Sequence, residues 1–126
     1  MLSQPDFADA VRRALHDLHR VDLLARSPLL RARLLRDRTG SADPTAADLA
    51  AFLREAVATL RRDARDDKLL RAVERTYLRP AATQEAAAAA LGLPFSTYRR
   101  HLGQGLARVV AWCWEREVYG GSGEHT

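Results

Sequence analysis

Apolar residues recur along this chain every three or four positions, the spacing of helices with one buried face. The first run is Phe7, Val11, Leu15, Leu18 and Val21, opened by Ser3 as N-cap, Pro5 in the first turn and Asp6 against the helix dipole. Ser27-Pro28 repeats the opening signal, and Leu30, Leu34 and Leu35 form a second stripe that Thr39-Gly40 ends. Asp43-Pro44 opens a third helix with Leu49, Phe52, Leu53, Ala56, Val57 and Leu60 on its buried face. A fourth, capped by Asp66 or Asp67, turns Leu70, Val73 and Tyr77 inward and stops at Pro80. Thr83 caps a fifth, alanine-rich helix closed by Gly92, and a sixth runs from about Pro94 to about Val118. No stretch alternates with strand period long enough for a sheet, and no two-residue turn marks a hairpin. The pattern predicts an all-α fold: about six helices in one bundle over 1–119, with an extended C-terminal helix and a disordered tail over 120–126.

Composition agrees with this and narrows the function. The 126 residues suffice for one domain with a real core. No apolar run is long enough to span a membrane, and no signal-peptide core follows the N-terminus, so the expected compartment is the cytoplasm. The single cysteine, Cys113, rules out an internal disulfide and a cysteine zinc site, and is expected to be buried and inert. A net charge of +4 and a pI near 10.0 point to a polyanionic partner. The distribution works against that reading. Residues 1–40 carry eight basic and five acidic groups, whereas 80–126 carry four of each. Lys68 is the only lysine, and so strong an arginine bias can arise from a GC-rich coding sequence.

Residues 83–102, T-Q-E-A-A-A-A-A-L-G-L-P-F-S-T-Y-R-R-H-L, have the layout of a helix-turn-helix. Ala88 is small where two helices would meet, and Leu91 is the last apolar residue of the first. Gly92 suits the left-handed turn, Leu93 plugs it, and Pro94 fits the start of the second helix. Tyr98 and Leu102 point inward one turn apart. The spacing resembles sigma-factor region four and the LuxR-type regulators, whose E-I-A-x-x-L-G and S-x-x-T-V elements correspond to Ala86-Ala87-Ala88 and to Pro94-Phe95-Ser96-Thr97-Tyr98. Pro94 departs from the serine cap of many such motifs. The stretch from Leu78 to Leu102 also resembles the C-terminal end of large bacterial, mostly actinobacterial, ATP-binding proteins, with similarity reaching upstream to about Phe7. That resemblance implies a helical terminal domain bearing a helix-turn-helix, here a fragment or a stand-alone relative. No G-x-x-x-x-G-K-[ST] loop occurs in this chain.

Phased at 100° per residue, the sixth helix puts Tyr98, Leu102, Leu106, Val109 and Cys113 on one side, with Phe95 and Val110 beside them. Ser96, Thr97, Arg100, His101, Gln104 and Arg108 fall opposite, with Arg99 at the border. Hydroxyl, amide and guanidinium groups read base edges and phosphates. A recognition helix over 94–108 would present Ser96, Arg100 and Gln104 to the major groove, flanked by Thr97, Arg99 and His101. Thr83 and Gln84 would hold a phosphate through free N–H groups of the fifth helix. Trp112 and Trp114 widen the apolar arc and are candidates for a dimer seam or docking surface.

Other polar groups carry no chemistry. His16 and His19 lack further ligands at a metal-binding spacing. Asp63, Asp66 and Asp67 sit among Arg62, Arg65 and Lys68, as capping and surface pairing require. The chain is therefore expected not to be an enzyme and to need no cofactor or metal. Two functions follow. One is a bacterial DNA-binding domain for transcription regulation on double-stranded DNA, with homodimerisation suiting a palindromic site. The other is a protein–protein interaction or assembly domain at the end of, or partnering, a multidomain ATPase.

Overall fold

The computed structural model describes residues 2–120. Among them are seven α-helices and no strand: α1 (Gln4–His16), α2 (Val21–Leu24), α3 (Arg33–Thr39), α4 (Ala46–Ala58), α5 (Asp67–Val73), α6 (Gln84–Ala90) and α7 (Phe95–Tyr119). Turns of 3₁₀ helix cover Pro28–Arg31, Thr59–Arg62 and Ala64–Asp66, and Glu74–Leu78 is π-helical. The chain groups into two compact units. One comprises the residues up to Leu53 together with those from Val110 onward, and the other comprises Arg54–Val109.

In the first unit, α1 begins as its sequence dictates, with the Ser3 hydroxyl accepting from the Asp6 N–H. Phe7, Val11 and Leu15 are buried along one face. The helix then stops at His16, where the expected run continued to Val21. Asp17 leaves helical geometry, the phase resets in α2, and Leu24 becomes the buried residue while Val21 is 69% exposed. The second expected helix is likewise interrupted. Ser27 opens only a 3₁₀ turn, Ala32 is extended, and Leu29 rather than Leu30 is buried. Gly40 ends α3 with φ of +68°. Thr45, not Asp43, starts α4. Its hydroxyl accepts from the Asp48 N–H while the Asp48 carboxylate accepts from the Thr45 N–H, a reciprocal capping box.

α3 follows an alanine and has no local side-chain cap. Glu117 supplies one from the far end of the sequence: Oε1 accepts from the Leu34 N–H at 2.9 Å and Oε2 from the Arg33 N–H at 3.4 Å. A buried carboxylate at a helix start is favoured by the dipole and satisfies N–H groups that would otherwise lack a partner. Phe7 meets Trp114 edge-on at 5.1 Å, and Phe52 packs against Trp112 at 5.6 Å. Both tryptophans are half-buried and each touches a ring of its own chain. The Arg116 guanidinium lies 4.1 Å over Trp112. Gly120 is buried and takes φ of +72°, closing α7, although it falls in the expected tail; residues 121–126 lie outside the described residues.

In the second unit, Ala56, Val57, Leu60, Leu69, Leu70, Ala72, Val73, Ala87, Ala88, Tyr98, Leu102 and Val109 are buried. Asp63, rather than Asp66 or Asp67, makes a side-chain cap, accepting from the Arg65 N–H. Asp66 is buried and turned instead to Arg108. The fourth helix does not end as an α-helix. It widens into the π-helical segment 74–78, in which the Arg79 N–H reaches back to the Glu74 carbonyl.

Candidate nucleic-acid interface

α6 and α7 are joined by a turn whose hydrogen bonds follow from Gly92. Its φ of +69° lets the Gly92 N–H reach the Ala89 carbonyl and the Leu93 N–H reach the Ala88 carbonyl, both at 3.0 Å. This is a Schellman ending, and a Cβ at Gly92 would strain it through backbone conformation alone. Ala87 and Ala88 are buried, and Tyr98 is fully buried with its hydroxyl on that of Thr76. Leu91 and Leu93 are half-buried and Phe95 is 42% exposed, so Phe95 sits at the rim rather than beside the core stripe.

The buried arc of α7 is rotated from the expected one. It runs through Tyr98, His101, Leu102, Gly105 and Val109, leaving Leu106 only half-buried. Gly105 is the cause. A Cβ there would lie 2.7 Å from Val73 Cγ2 and 3.2 Å from the Leu69 carbonyl oxygen, so α5 crosses α7 at this residue. Sequence reasoning missed it. The available signal was a glycine inside a helix of good formers, which costs about 1 kcal/mol unless a close approach requires it.

The rotation sorts the expected contact residues. Ser96, Arg99, Arg100 and Gln104 are exposed along one strip of α7, and Thr97 is half-buried at its edge. His101 is not on the surface: it is 8% exposed, and it lies one helical turn before Gly105, where α5 crosses. Burial and the neighbouring charges of Lys68 and Arg100 hold its pKa below the ordinary imidazole range. Arg108 is exposed but tied by a 2.6 Å charge-assisted bond to the buried Asp66 carboxylate. Arg99 donates to the Gln84 side-chain oxygen at 2.5 Å, which links the start of α6 to α7. Thr83 is occupied as the α6 cap, its hydroxyl accepting from the Ala86 N–H and its carbonyl from the Ala87 N–H. That leaves fewer free N–H groups there than a phosphate would want.

Charge also distributes differently once the folded units are known. Residues 54–109 contain eleven basic and six acidic side chains, whereas the other unit contains nine and ten. The basic excess therefore belongs to the unit that holds α6 and the first half of α7. In that unit Asp63 pairs with Arg65, Asp67 with Arg71, and Glu74 with Arg61 and Arg79. The Arg65 guanidinium holds the Asp63 carboxyl below its usual range. Burial pushes the Cys113 thiol up to about 12, so a thiolate is not formed near neutral pH. Among the described residues no group of three or more His, Cys, Asp or Glu could hold a metal ion, and no helix is long and apolar enough to cross a membrane. No family model, curated protein or solved structure matches this chain.

Proposed function

We propose that residues 54–109 form a duplex-DNA-binding helix-turn-helix unit that acts in transcription regulation, with the first part of α7 in the major groove. The observation that carries this reading is the coincidence of the basic excess with the exposed strip Ser96, Arg99, Arg100 and Gln104. Arginine and glutamine at successive turns of one helix are the types that pair with guanine and adenine edges. The resemblance of residues 83–102 to sigma-factor region four and LuxR-type regulators supports the same assignment. The reading face is narrower than the residue types alone suggest, because His101 is buried and Arg108 is tied to Asp66.

Phe95 favours a second reading, in which this surface docks a protein partner such as the ATPase portion of a longer chain. Fluorescence anisotropy on mixed-sequence duplex DNA separates the two. DNA reading predicts binding that weakens from about 50 mM to about 200 mM salt, and a loss of at least about 100-fold in Arg99→Glu/Arg100→Glu. No binding at low salt, or binding that the double variant retains, favours the docking surface.

A further inference from the structure

We propose that Gln84 is a positioning residue for Arg99: it fixes the guanidinium as a contact for one backbone phosphate of duplex DNA without neutralising its charge. This rests on the DNA-binding reading for the source of the phosphate.

The tether is a direct contact. Arg99 Nη1 donates to Gln84 Oε1 at 2.5 Å, across 15 residues of sequence. A guanidinium only donates, so the amide must turn its oxygen, not its NH2, toward Arg99. Gln84 is the first residue of α6 and half-buried, whereas Arg99 is exposed one turn into α7. The bond therefore draws the Arg99 side chain toward α6, to one edge of the strip that carries Ser96, Arg100 and Gln104. Arg100 stands about 100° further round the helix. With the strip in the groove, an arginine at its edge meets the flanking phosphates, which position a protein on DNA.

The chemistry of the tether is the second observation. Elsewhere in this unit carboxylates hold guanidinium groups: Asp63 holds Arg65, Asp67 holds Arg71 and Asp66 holds Arg108. Each of those cations is offset by an anion. Among the described residues Arg99 is joined to no carboxylate, and an amide oxygen fixes a guanidinium while leaving its charge whole. A long side chain gives up rotamer freedom when it binds, and one already tethered has less to lose. An exposed guanidinium that is fixed but not neutralised is preorganised for an oxyanion, and its remaining N–H donors keep the planar fork that matches a phosphate. Helix phasing alone treats Gln84 and Arg99 as separate contacts; the hydrogen bond makes them one.

The test titrates mixed-sequence duplex DNA against the full chain across a salt series. Gln84→Ala should weaken binding about 3- to 10-fold at fixed salt, the effect of having to order one long side chain. It should have no effect in an Arg99→Ala background, because Gln84 acts only through Arg99. Gln84→Glu keeps the acceptor and adds an anion. It should lower the magnitude of the log–log slope by about 0.9, the value for one lost phosphate contact, as Arg99→Ala does. An acid suits the first turn of α6, where Glu85 already lies, so Gln84→Glu should melt no lower than the wild type. A merely structural role for Gln84 would not move that slope. Unchanged affinity in Gln84→Ala, a wild-type slope in Gln84→Glu, or a Gln84→Ala effect that persists without Arg99 overturns the positioning role and leaves the DNA reading standing. If the wild-type chain binds no duplex at low salt, the DNA reading falls and the positioning role with it.

Discussion

The two units of this chain are built on different physics. The one that joins the N-terminal helices to the end of α7 is nearly balanced in charge and holds both tryptophans. Its specific contacts are apolar rings and a buried carboxylate, Glu117, that caps α3. The unit over 54–109 has no tryptophan and an excess of five cations, with alanines and a glycine at its close contacts. The first arrangement maximises cohesion. The second tolerates self-repulsion, which costs stability in the free protein and which an anionic partner, as proposed, would relieve. On the DNA-binding proposal, the first unit would serve as scaffold and the second as the binding unit.

Substitutions in the first unit carry the largest expected effects. Phe7→Ala, at a fully buried ring against Trp114, should cost about 3–5 kcal/mol in denaturant melts. Glu117→Ala removes the acceptor for two N–H groups at α3 and should cost about 1–3 kcal/mol. Neither should alter the salt slope of DNA binding at temperatures where the variant is folded. A changed slope would mean that the first unit, too, takes part in any DNA contact.

The two glycines of α7 sharpen the picture further. Gly105→Ala should cost about 1–3 kcal/mol despite better helix propensity, because its Cβ would meet a stiff valine and a backbone carbonyl. Gly103→Ala, in open space two residues away, should stabilise by up to about 1 kcal/mol. Equal effects would show that α5 does not cross where the structure places it. The smallest effect is on pH dependence. The pKa of His101 is depressed in the folded state, so the unfolded chain binds its proton first as pH falls below about 6.5. Stability should therefore decline with acidification in that window, and the decline should shrink in His101→Gln.

Element type was legible because helical periodicity survives in nearly every apolar residue, and Ser3, Thr83, Gly40 and Gly92 do at their positions what local chemistry requires. Breaks were less legible. The apolar spacing through Leu18 and Val21 fits an unbroken helix, and only tertiary packing decides that Leu24 is buried instead. Long-range substitutes for local signals were invisible. Glu117 caps a helix more than eighty residues earlier, and Asp66 abandons a cap for Arg108. On the candidate face, Ser96, Arg99, Arg100 and Gln104 were recoverable by phasing a helix. His101 was misplaced because the phase took no account of a crossing at Gly105.

On the DNA-binding proposal, the 54–109 unit holds the nucleic-acid backbone and reads it with one strip of α7. The most direct test is the slope of log affinity against log salt for duplex DNA, in the wild-type chain and in Arg99→Glu/Arg100→Glu. DNA binding of this kind gives a slope steeper than about −3 in the wild type, and affinity reduced at least about 100-fold in the variant. A flat slope, or a variant that binds as the wild type does, would contradict it.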